Sequence, residues 1–217
     1  MYFVGRKKEI NQINKALEAG TNIIIHGKYG MGRTSLVKQI ARLNHQRWQF
    51  WFVDGSQTPE KICRQLFKEL FPDEQHRYPL KYKSLRQRIA AATLSANPPV
   101  VLGLDNIATI TSARLDWLRY FASHGKFNFM VIVDDSLKQD EELKLRGALH
   151  LTCQVFLSHL SLSETEQFFQ HYSRQYDWGW SAEMIKSQSC LSRGYPLFMA
   201  ERLADILKAA HEMKDEK

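Results

Sequence analysis

Ile23-Ile24-Ile25-His26-Gly27-Lys28-Tyr29-Gly30-Met31-Gly32-Arg33-Thr34-Ser35-Leu36-Val37 is the stretch from which the fold is read. It opens on an apolar run short enough to be a buried strand and closes into a helical pattern through Ile40 and Leu43. Between them, the eight residues from Gly27 to Thr34 fit G-x-x-x-x-G-K-[ST] at every position but the seventh. Glycines let successive backbone N–H groups turn toward an anion, and the start of the following helix adds positive potential. The pattern implies a triphosphate site made by Gly27, Lys28, Gly30, Met31, Gly32, Arg33, Thr34 and Ser35, with the Thr34 hydroxyl placed on Mg²⁺.

The seventh position is Arg33, where a lysine is usual. Lysine reaches the outer phosphates as a compact point charge; arginine is a wider planar fork that prefers bidentate contacts. Two outcomes stay open: the guanidinium binds phosphate off-register and ATP still binds, or the site is degenerate and binds weakly or does not hydrolyse. Lys28 adds a second cation inside the loop.

Outward from the loop, strands alternate with helices. Strands are expected at 48–54, 100–104, 127–133 and 152–157, and helices from about 58, then at 83–96, 112–122 and 138–149. Such alternation predicts a parallel sheet with helices on both faces and a ligand at the carboxyl ends of its strands. From residue 161 the pattern is all helical, at 163–176, 181–191 and 195–211. The expected division is an α/β core at 1–160 and a small helical lid at 161–217.

Asp105 closes the run Val100-Val101-Leu102-Gly103-Leu104 and is the natural second Mg²⁺ partner, beside Thr34. Asn106 follows it. An amide orients a water but cannot take its proton, so hydrolysis is expected to be slow. Asp134 and Asp135, ending the next strand, are candidate polar sensors or simple loop caps.

The chain has 217 residues, 44% of them hydrophobic, enough for a sizeable core. No apolar run approaches a membrane-spanning length, and the N-terminus lacks the apolar core of a signal peptide. Cys63, Cys153 and Cys190 are far apart and without metal-ligand spacing, which suits reduced thiols in a cytoplasmic protein. Net charge is +7. Between Glu74 and Asp105 there is no acid, whereas Arg77, Lys81, Lys83, Arg86 and Arg88 fall there with His76, Tyr78 and Tyr82 among them. That window is a candidate DNA contact, or a solvated helix face around Leu85, Ile89, Ala90 and Leu94.

Together these features resemble the AAA+ superfamily, most closely its branch near STAND regulators, origin-recognition ATPases and transposition-regulator ATPases. Phe3-Val4-Gly5-Arg6-Lys7-Lys8-Glu9-Ile10 resembles the box that precedes the first core strand in that group. Leu157-Ser158-His159-Leu160-Ser161-Leu162-Ser163-Glu164 resembles its core-to-lid junction, and Gly194-Tyr195-Pro196-Leu197 its lid motif. The resemblance implies a five-stranded parallel sheet sandwiched by helices with a helical lid, ATP and Mg²⁺ as ligands, and Pro196 near the nucleotide. Arg33 and Asn106 depart from the family pattern. No arginine stands at the lid's sensor position, although Arg193 and Arg202 are near it. Arg146 is a candidate finger toward a neighbour's nucleotide, or a surface residue.

The function implied is an ATP-binding regulatory switch, a weak ATPase at most, coupling nucleotide state to self-assembly and to DNA or DNA-complex binding. The alternative is a pseudo-ATPase adaptor that binds a protein partner without nucleotide, with Trp178-Gly179-Trp180 as a candidate anchor or part of the lid core.

Overall fold

The structure, a computed structural model of the chain, describes residues 2–74, 80–133 and 136–215. Its elements run α1 (Lys7–Glu18), β1 (Ile23–His26), α2 (Arg33–Asn44), β2 (Gln49–Asp54), α3 (Pro59–Leu70), a 3₁₀ turn (Pro72–Glu74), α4 (Tyr82–Leu94) and β3 (Val100–Ile107). There follow α5 (Ser112–His124), β4 (Phe127–Val133), α6 (Gln139–Leu149), β5 (Cys153–Phe156), α7 (Leu162–Gln175), α8 (Ala182–Ser192) and α9 (Pro196–Asp215). The strands form one sheet in the order β2-β3-β4-β1-β5, with every pairing parallel.

Side-chain alternation along the strands sorts the helices into two layers. Ile23 and Ile25 of β1 face one side, where Ile13, Ala16 and Leu17 of α1 and Leu36, Val37 and Ile40 of α2 pack on them. Ile24 faces the other, covered with Leu102, Leu104 and Val131 by α3, α4, α5 and α6. A third cluster joins Phe168, Phe169 and Tyr172 of α7 to Met199 and Leu203 of α9, and it takes in Val4 and Leu160. The start of the chain is thus packed among the C-terminal helices.

Local chemistry sets the helix starts. Thr58 caps α3 by accepting from the Lys61 N–H at 3.4 Å, with Pro59 in the first turn. Ser161 and Glu164 form a reciprocal capping box at α7. The three thiols are free. Cys63 lies in the core, where burial pushes its thiol up to about 11, and the Trp117 indole N–H points at its sulfur from 3.2 Å.

Two elements differ from the sequence expectation. Helix α1 extends the box at residues 3–10 by two turns, on an apolar face at Ile13, Ala16 and Leu17. Strand β3 continues past Asp105 to Ile107, through a register shift against β4 between Leu104 and Ile107. Asn106 makes that bulge at φ 58°. Trp178 and Trp180 stack on each other at 4.8 Å and pack against the third cluster, as lid core.

Candidate nucleotide-binding site

Helix α2 starts where the strand ends meet. Its N-cap is Gly32 at φ 82°, which supplies no capping side chain, and its first turn carries no acid. The first N–H groups of a helix have no partner within the helix, so this start presents donors and positive potential to the loop at 27–32. At the same place the Thr34 hydroxyl donates to Asp105 Oδ2 at 2.7 Å, joining α2 to the end of β3. The half-buried Arg33 sends Nη1 to the carbonyl of Val133 at the end of β4. Lys28 is exposed. Asp134 and Asp135 lie outside the described residues.

Asn106 is turned toward β2. Asp54 ends that strand in register with Asp105, and the Asn106 side chain is among the groups that lower its pKa. Donation from the Ser56 side chain and backbone, then from Asn106 and Gln57, holds Asp54 below the usual carboxylate range against the opposing effect of burial. Ser56 N–H reaches Asp54 Oδ1 at 3.0 Å, and Asn106 N–H reaches Asp105 Oδ1 at 2.8 Å. Beneath them the buried Arg114 donates to the carbonyls of Ser56 and Gln57 at 3.2 Å each.

The loop's outer carbonyls are held by other parts of the chain. The Tyr195 hydroxyl donates to the carbonyl of Tyr29, and Leu197 N–H donates to that of Gly30 at 3.1 Å. Arg6, only 5% exposed, reaches the carbonyl of Met31 at 3.1 Å. Gly30 has φ 79°, and a Cβ there would stand 2.7 Å from the Tyr195 hydroxyl and 2.8 Å from Leu197 Cβ. Close approach by the lid, together with positive φ, therefore demands glycine. Phe3, Val4, Met31, Leu160, Pro196 and Met199 wall an apolar cavity against the start of α2, with Arg6 and Ser35 at its polar side.

The sequence pattern named Thr34, Asp105 and Pro196, which converge here. It missed Asp54 as a site residue, although Asp54 follows the apolar run 50–53 as Asp105 follows 100–104. It also missed the reach of Arg6 and Tyr195 to the loop. Arg202 donates to Gln188 at 2.7 Å inside the lid, and Arg193 caps α8 in the left-handed region. Arg146 lies 3.9 Å from Glu142 within α6. In the basic window, Arg86 lies over the rings of Tyr82 and Tyr120, and Arg88 grips Glu74 with both terminal nitrogens. Lys81 and Lys83 are exposed, and Arg77 lies outside the described residues.

A family model described as an AAA ATPase domain matches residues 2–133. The chain belongs to the AAA ATPase family. Among solved structures, the chain is similar to the Aeropyrum pernix ORC1 protein in complex with DNA, with a TM-score of 0.70 at 12% identity, covering 99% of this chain and 61% of that one. It is similar to the Thermotoga maritima RuvB Holliday junction branch migration motor, with a TM-score of 0.64 at 16% identity, covering 96% and 65%. It is also similar to the ADP form of Aeropyrum pernix ORC2, with a TM-score of 0.60 at 15% identity, covering 95% and 61%. At these identities the likeness is one of fold, and the chain spans less than two thirds of each solved chain. No curated protein matches it by sequence. Among the described residues, no helix is long and apolar enough to cross a membrane.

Proposed function

We propose that the chain is a nucleotide-operated switch: a core at 1–160 binds Mg-ATP, a lid at 161–217 responds, and hydrolysis is slow or absent. The response governs self-assembly and contact with DNA or a DNA complex, in the cytoplasm. The observation that carries this reading is the 2.7 Å bond from Thr34 to Asp105 at an uncapped helix start. A hydroxyl and a carboxylate held together beside an anion-binding loop suit Mg²⁺, which takes its remaining oxygens from phosphate and water. When bound, Mg-ATP supplies a phosphoanhydride bond whose charge the ion neutralises. Gly27, Lys28, Gly30, Met31, Gly32, Arg33, Thr34 and Ser35 hold the phosphates, while Pro196 and the apolar cavity receive the base. Asn106 puts an amide where a carboxylate could follow Asp105 in the chain, which favours binding over turnover.

Equilibrium binding of a fluorescent ATP analogue, with and without Mg²⁺, tests the reading. Saturable, Mg²⁺-sensitive binding in the micromolar range is expected, weakened at least tenfold by Asp105→Ala. Binding that is absent at millimolar analogue overturns it. That result would favour the adaptor, for which the bond from Arg33 to the Val133 carbonyl speaks, since it directs the loop's guanidinium at protein.

A further inference from the structure

The chain's net charge is confined to its first quarter. Residues 1–53 hold nine Lys and Arg against two Glu, while residues 54–217 hold twenty-one of each sign. The fold gathers α1 and α2 from that segment onto one face of the sheet. Asn44 Nδ2 donates to Asn14 Oδ1 at 3.1 Å between them. Each helix buries its apolar side, so its cations project from the opposite side: Lys7, Lys8 and Lys15 on α1, Lys38 and Arg42 on α2. Both acids of the segment are occupied elsewhere, Glu9 by Arg6 and Glu18 by Arg47.

Several cations of other helices are neutralised within the protein: Arg64 with Glu60, Arg88 with Glu74, Lys144 with Asp140 and Arg146 with Glu142. Among the described residues, Lys7, Lys8, Lys15 and Lys38 have no such partner. Like charges left together on one face repel each other until a polyanion neutralises them.

We infer that the outer face of α1 and α2 binds double-stranded DNA through its phosphate backbone. Lysine ammonium groups are point charges suited to phosphate, and they position a duplex without reading its bases. Single strands are held by stacking on aromatic rings, and the exposed side chains between these cations, Asn11, Gln12 and Ser35, include none. Membrane surfaces need apolar side chains to insert, and Leu43 is the one exposed large hydrophobic residue on the two helices. Lys8 and Lys15 are two turns apart, about 10.5 Å along the axis, which spans roughly three phosphates of one strand. This inference rests on the proposed function only in taking DNA as the partner, and not on the nucleotide site.

The test is fluorescence anisotropy of a short labelled duplex as salt is raised from about 50 to 200 mM. Neutralising five phosphates gives a slope near −4.5 in log affinity against log salt, or an affinity loss of about 500-fold across that range. In the variant Lys8→Gln, Lys15→Gln, Lys38→Gln, Arg42→Gln the slope is expected to fall to about −1, a loss of only three- to fourfold. Its thermal unfolding confirms that the variant is folded, and binding of the ATP analogue reads the nucleotide site separately. The inference is overturned if the native chain fails to bind the duplex or if the quadruple variant keeps the native slope. It is equally overturned if the slope falls instead in Lys81→Gln, Lys83→Gln. Tighter binding of single-stranded DNA, duplex RNA or phosphatidylserine vesicles would also sink it.

Discussion

At φ 58°, Asn106 occupies the left-handed region that asparagine tolerates and most side chains avoid. The Asp54 carboxylate and the Asn106 amide stand on adjacent strand ends, β2 carrying the acid and β3 the amide, and the amide helps to lower the Asp54 pKa. Asn106→Glu alone would add strain of about 1–2 kcal/mol and set two carboxylates side by side. That single change is expected to leave phosphate release at its native rate. The exchange Asp54→Asn with Asn106→Glu, which removes the repulsion, is expected to raise it at least tenfold, and a double variant no faster than either single would refute the argument. Thr34 and Asp105 were legible because each sits at a fixed place relative to its own element. Asp54 was not, because its importance comes from β2 lying beside β3, a neighbour relation that linear order does not contain.

Among the elements, the loop at 27–32 and the turn at 194–197 depend on each other. Tyr195 and Leu197 hold two loop carbonyls from the lid, and Arg6 holds a third from the start of the chain. Gly194 is bound just as closely: a Cβ there would stand 2.1 Å from the Leu160 carbonyl oxygen. Gly30→Ala should cost about 1–3 kcal/mol for its positive φ and should push the lid off the loop. Hydrogen exchange of the Leu197 amide, which donates to Gly30, is expected to accelerate at least tenfold, while unchanged protection would show that the lid accommodates the methyl. Strands and their order of appearance were legible from apolar runs ending in acids or turns. The bulge in β3 was not, because it depends on pairing with β4, and the amphipathic spacing of Ile10, Ile13 and Leu17 in α1 was absorbed into the motif before it.

Over the whole molecule, Glu164 links three regions. It caps α7 with Ser161, and its Oε1 accepts the Arg6 N–H at 3.3 Å. Burial alone would raise its pKa; the Ser161 hydrogen bonds, then the Arg6 hydrogen bond and charge, outweigh that and bring it below the ordinary 4.5. A carboxyl depressed by folding stabilises the native state above its unfolded value, and that stability is lost as pH falls through the folded value. The melting temperature should therefore fall more steeply below pH 4.5 in the native chain than in Glu164→Gln. Parallel curves for the two would show that the junction does not depend on this charge.

Helix α9 begins at Pro196, directly on the phosphate-binding loop, and runs for 20 residues. At 1.5 Å per residue it is about 30 Å long. A rotation of roughly 10° about its first turn would carry its far end by about 5 Å. In such a rotation the loop and the turn at 194–197 would be the short arm of a lever, and the displacement would be largest at the end of α9 farthest from the loop.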